Sequence, residues 1–147
     1  MRWAAKKGDP SMSDLYPPVV TMLATAVLGL LFTLLSVLVV TTRTTTKIDL
    51  GTDEAAASSP LYTMVRSHAN FAEYVPLTLL LIGLIELHTG ETLLVKVLAF
   101  GLIFARVVHP LGMRMQAPNP FRAGGFLITV LILAVASIKA VMLSFHM

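Results

Sequence analysis

The run VVTMLATAVLGLLFTLLSVLVVTT, residues 19–42, decides the fold. No charged side chain occurs between Asp14 and Arg43. As a helix rising 1.5 Å per residue, the run is about 36 Å long and crosses a hydrocarbon layer of about 30 Å with some tilt. A secretory signal has a shorter apolar stretch of about 7–15 residues. The small-residue match to a cleavage pattern, Ala24-Thr25-Ala26, lies inside the run, so it reads as a retained first span. The rest of the chain agrees. Its 147 residues are 56% hydrophobic and 13% charged, with a mean hydropathy of +0.80. Soluble domains carry roughly 25% charged residues, and one of this size leaves about a third of its unfolded surface in contact with water. The polar residues available here could not cover that surface, and the chain reads as an integral membrane protein.

Outward from this run, three further spans are expected, over about 62–87, 92–113 and 121–145. Ser59-Pro60 and Asn119-Pro120 each pair a helix-capping side chain with a proline at the first helical position. The segment from His88 to Glu91 is a tight connection. The second and third spans carry charges, but neither has the wide polar face of a helix lying flat on a membrane. The fold class expected is therefore all-α, a left-handed four-helix membrane bundle with antiparallel neighbours, in one domain over residues 1–147. Residues 1–14 are expected to form a flexible basic tail. Arg43, Lys47, Arg66, Arg114 and Arg122 fall on one membrane side, and Arg2, Lys6, Lys7, Lys96 and Lys139 on the other. Initiation at Met12 removes three of the latter group, and the bias then places the first and third connections in the cytoplasm.

Composition excludes several functions. A net charge of +3, scattered along the chain, gives no nucleic-acid footprint. With no cysteine there is no disulfide, thiolate metal site or sulfur nucleophile, so any sulfur chemistry must come from a bound thiol. His68 and His109 do not face each other at matching depth, and no metal or haem site is expected.

Arg66, Asn70 and Glu73 are spaced by four and three and share one helix face, with His68 turned away. Arg106, His109 and Met113 form a second such stripe. Arg66 lies roughly 9 Å inside the start of its helix and Arg106 roughly 10 Å from the end of its own. Those ends share a membrane side with Arg43 and Arg122. Four arginines and one carboxylate, Glu73, thus converge at one end of the bundle. Charge within a membrane needs a partner or a wet cavity, and Glu73 neutralises one arginine at most. Arg122 opposes the dipole at the start of its helix, an arrangement suited to a bound anion. The competing reading is an Arg66–Glu73 pair that fixes packing while the other arginines reach lipid headgroups.

The run RSHANFAEYVP, from Arg66 to Pro76, together with ARVVH, from Ala105 to His109, resembles the signature of the MAPEG family, the membrane-associated proteins in eicosanoid and glutathione metabolism. HANFAEYVP is most similar to the family's bacterial inner-membrane branch. The resemblance covers all four spans. It implies a homotrimer binding glutathione between subunits, with Arg43, Arg66, Asn70, Glu73, Arg106 and His109 as contacts and Arg122 activating the sulfur. It further implies a transferase or peroxidase acting on apolar electrophiles or lipid hydroperoxides from the bilayer. Two positions depart from the pattern of eicosanoid-pathway relatives: Met113 replaces a tyrosine and Ala123 a serine, removing hydroxyls that donate to the sulfur. These departures favour the alternative, a non-catalytic trimer binding a thiol or an anionic lipid. A small transporter is disfavoured because helix 1 carries no carboxylate.

Overall fold

The structure is a computed structural model and describes residues 15–52, 59–116 and 118–146. The expected tail over residues 1–14 lies outside the described residues. Four helices follow one another: α1 (Val19–Thr46), α2 (Pro60–Thr89), α3 (Leu93–Met113) and α4 (Pro120–Ser144). All four are long and apolar enough to cross a membrane. Among the described residues α2 and α3 touch each other, α1 packs on both, α4 packs on both, and α1 and α4 do not meet.

The caps explain the boundaries. The Ser59 hydroxyl accepts from Tyr62 N–H at 3.1 Å, and the Asn119 side chain accepts from Arg122 N–H at 2.9 Å. Each satisfies an N–H that the first helical turn leaves unpaired. Between α2 and α3 only Gly90, Glu91 and Thr92 intervene. Gly90 takes φ +72°, a conformation that glycine adopts without strain, and its α-carbon side faces the Tyr16 ring.

Helix α1 runs one turn beyond the expected end at residue 42. The hydroxyls of Thr42, Thr45 and Thr46 donate to the carbonyls of Leu38, Thr41 and Thr42, four residues back. This pairing, intrinsic to serine and threonine in helices, satisfies the hydroxyls within the helix itself as α1 leaves the apolar run. Lys47 ends it in the left-handed conformation, φ 57°.

The core lies along the α1, α2 and α3 contact, with Ala24, Leu28, Val75, Ile82, Leu98 and Leu102 among its buried members. Phe32 stacks on His68 at 4.6 Å and on Phe71 at 5.2 Å, and Ser36 Oγ lies 3.1 Å from His68 Nε2. His68 thus fills the α1–α2 seam, turned away from Asn70 as the periodicity predicts. Large apolar side chains on the outer faces, Leu30, Leu80, Phe104 and Leu131 among them, are exposed. An unpartnered apolar surface of this extent is what a lipid-facing helix presents.

At the end where α1 begins and α2 finishes, Glu86 is fully buried. Its Oε1 accepts from Val20 N–H at 2.8 Å. Its Oε2 accepts from Thr21 N–H at 2.8 Å and from the Thr21 hydroxyl at 2.6 Å. The residue preceding α1 is Pro18, which supplies no side-chain cap. A carboxylate from α2 therefore caps α1 and meets the positive end of its dipole. Sequence reading gave Glu86 no role.

Candidate functional site

At the opposite end, the first half of α2, the last turns of α3 and the start of α4 enclose a cleft of about 440 Å³. This lies within the roughly 300–1,000 Å³ of small-molecule sites. Its lining includes Arg66 and Asn70 from α2, His109 and Met113 from α3, and Arg122, Ala123 and Phe126 from α4. No acidic side chain lines it among the described residues. Two guanidiniums thus face a space with no internal counter-charge.

Local packing builds this geometry. Asn119 donates through Nδ2 to Gly112 O at 2.9 Å while capping α4, so one side chain ties the end of α3 to the start of α4. The two backbones nearly touch. A Cβ on Gly112 would fall on the Arg122 backbone nitrogen and within 2.7 Å of Phe121 C. One on Gly125 would lie 2.8 Å from His109 Cβ and 2.9 Å from Ala105 O. Only glycine permits that approach, which sets Arg122 and His109 on a common wall. Tyr74 meets Phe126 edge-on at 5.6 Å and closes the apolar flank.

Behind this wall Arg106 is 1% exposed. Its Nη1 donates to Asn70 Oδ1 at 2.7 Å, and its Nη2 to Gly125 O at 3.1 Å and to the Thr129 hydroxyl at 2.5 Å. Its Nε has no partner among the described residues. Arg106 thereby joins α2, α3 and α4. Thr129 and Gly125 were not singled out from the sequence, although a small residue followed four positions later by the one hydroxyl in the uncharged stretch 123–136 is a readable signal.

Of the residues expected at the site, the structure gathers Arg66, Asn70, His109 and Arg122 around one cleft and sets Arg106 behind Asn70. Glu73 is exposed and does not line the cleft. Arg43 does not line it either. Its Nη1 donates to the carbonyls of Ile48, Asp49 and Gly51 at 3.1–3.2 Å, folding the chain after α1 back onto the helix end.

A chain with four membrane-length apolar helices belongs to the class of multi-pass integral membrane proteins, and this one carries a cation-lined cleft at one end of its bundle. The chain is a member of the MAPEG family, whose sequence model matches residues 21–142, nearly the whole of the four helices. No curated protein and no solved structure matches it.

Proposed function

We propose that this protein is a glutathione-dependent membrane transferase or peroxidase, working as a homotrimer in a bacterial inner membrane on apolar electrophiles or lipid hydroperoxides. The observation carrying the reading is the cleft itself: Arg66, Asn70, His109 and Arg122 surround a volume fit for a small peptide, with donors on several sides and no acid among them. Glutathione offers two carboxylates to such a donor set and supplies the thiol that a cysteine-free chain lacks. Arg66 holds a carboxylate, and Arg122 stands at the capped start of α4, where helix dipole and guanidinium both favour an anion. Lowering a thiol pKa from about 8.5 to about 7 takes about 2 kcal/mol. One guanidinium at about 4 Å supplies up to ~4 kcal/mol at an effective dielectric of 20, before desolvation.

Glu73 and Arg43, which lie off the cleft of their own chain, serve in this reading at the boundary with a neighbouring subunit. There Glu73 meets the ligand's ammonium and Arg43 a carboxylate. The apolar substrate arrives laterally through the bilayer, past the Phe126 flank.

A second reading has its own observation. Met113 and Ala123 both line the cleft, so no hydroxyl at either position reaches a bound sulfur. On that reading the trimer binds a thiol or an anionic lipid without turnover.

Titration calorimetry of the detergent-purified protein with glutathione, beside Arg66→Ala, tests the site. Saturable binding lost in the variant is the expected result, and absence of binding to well-folded wild type sinks the glutathione reading. Thiol-transfer turnover then separates the two readings. Arg122→Ala is expected to lower it by at least about tenfold, the equivalent of 1.4 kcal/mol in the barrier. Unchanged turnover removes Arg122 from the chemistry, and no turnover in wild type leaves the binding protein.

A further inference from the structure

Arg106 is the most buried cation among the described residues, and both its terminal nitrogens have partners. Its nearly complete burial keeps it from lining the cleft. Its acceptors are all neutral protein groups: an amide oxygen, a backbone carbonyl and a hydroxyl. Thr129 is arranged to accept, since its own hydrogen goes to Gly125 O at 2.8 Å.

The contact with Asn70 has a chemical consequence. A guanidinium only donates, so the atom it meets must be the Asn70 oxygen, and the usual ambiguity between amide oxygen and nitrogen disappears. Asn70 lines the cleft, and its oxygen already accepts from Arg106 Nη1, which fixes the orientation of the amide. What it has left for an occupant is Nδ2, with two hydrogens and no protein acceptor among the described hydrogen bonds. A free amide can turn to suit either a donor or an acceptor; this one cannot.

We propose that Arg106 is a positioning residue for the cleft rather than a ligand contact: it locks the Asn70 amide and leaves the Nδ2 hydrogens free, so that Nδ2 donates to an oxygen acceptor of the occupant, a carboxylate or carbonyl. This rests on the cleft being the ligand site and deepens the glutathione reading. It assigns an oxygen of the peptide to the Arg66–Asn70 side. It also separates two arginines that sequence spacing treats alike: Arg66 faces the ligand and Arg106 acts on it through Asn70.

The chain contains two asparagines, Asn70 and Asn119. Side-chain ¹⁵N labelling of asparagine therefore yields two amide pairs, and Asn70→Ala identifies which is which. Titration with glutathione, and separately with glutarate as a plain dicarboxylate, is expected to move the Asn70 amide protons downfield at saturation. Movement with glutarate but not glutathione overturns the glutathione reading and keeps the donor-only amide. No movement with either, under conditions where Arg122 or Arg66 variants show that ligand binds, overturns the proposal.

A double-mutant cycle tests the indirect role. Asn70→Ala and Arg106→Lys are each expected to weaken binding by about fivefold, the scale of one hydrogen bond. The combination should be no weaker than either alone, because both remove the same interaction. Additive losses mean that Arg106 acts on the ligand by itself and refute the positioning role. Should Arg106→Lys fail to fold, the wild-type amide titration still decides between a locked donor and an idle one.

Discussion

Glu86 shows how a single side chain can fasten one helix to another. Both its oxygens are committed to the first residues of α1, in a place that neither water nor a local capping residue serves. Replacing it by alanine leaves two backbone N–H groups and a hydroxyl buried without acceptors. Glu86→Ala is expected to lower stability by about 2–3 kcal/mol, in line with the loss of buried hydrogen bonds to a charged group. Thr21→Val, which removes one donor, should cost about 1 kcal/mol. Thermal unfolding in detergent checks both, and equal stability of Glu86→Ala and wild type would deny the cap. This contact could not be read from the sequence, because its acceptor lies 65 or 66 residues from donors that are largely backbone. Asn70 with Arg66, and His109 with Arg106, were legible because helical spacing alone puts each pair on one face. That Arg106 is buried and Arg66 exposed was not, since the difference arises from Gly125 and Thr129 on another helix.

At the level of elements, the cleft depends on how closely α3 and α4 approach, and two glycines set that distance. Gly112→Ala and Gly125→Ala are each expected to destabilise by about 1–3 kcal/mol, the usual scale for overpacking, and to weaken ligand binding through displacement of Arg122 and His109. Gly124 meets nothing within 4 Å. Gly124→Ala should therefore be neutral or stabilising by up to about 1 kcal/mol, the difference in helix propensity. If all three behave alike in thermal unfolding, helix contact is not what the glycines supply. Helix boundaries were legible where a capping residue and a proline stand together, at Ser59-Pro60 and Asn119-Pro120. Helix α1 continues one turn past the apolar run that ends at residue 42, over threonines whose hydroxyls pair with its own carbonyls.

Taken whole, the molecule has one end closed by an internal carboxylate and the other left with surplus positive charge. The convergence of Arg66, His109 and Arg122 followed from counting depth along antiparallel spans. The distance of Arg43 and Glu73 from the cleft did not, because depth fixes height in the membrane but not position around the bundle. The fold places the α1–α2 connection and the α2–α3 connection on opposite membrane faces. With no native cysteine, single substitutions report this directly. Leu50, 90% exposed, and Glu91, half-exposed in a surface pair with Lys96, are suitable sites. A membrane-impermeant maleimide applied to sealed, right-side-out vesicles should label one of Leu50→Cys and Glu91→Cys and spare the other. With initiation at Met12, the Lys and Arg bias predicts that Leu50 is cytoplasmic and that Glu91→Cys is the one labelled. Labelling of both from one side would rule out four spans.

The Arg106 contacts also bear on how the chain enters the bilayer during synthesis. A lone arginine at the middle of a span costs about 2.5–3.5 kcal/mol at insertion, and two of its acceptors, Gly125 O and the Thr129 hydroxyl, belong to the helix made after it. As α3 leaves the ribosome, those groups do not yet exist outside the exit tunnel. Insertion of the third span is therefore expected to be more favourable when the fourth is present, and truncation before Pro120 is expected to lower the inserted fraction of α3. The close approach of α3 and α4 at Gly112 and Gly125, which forms one wall of the cleft, is what brings those acceptors to Arg106.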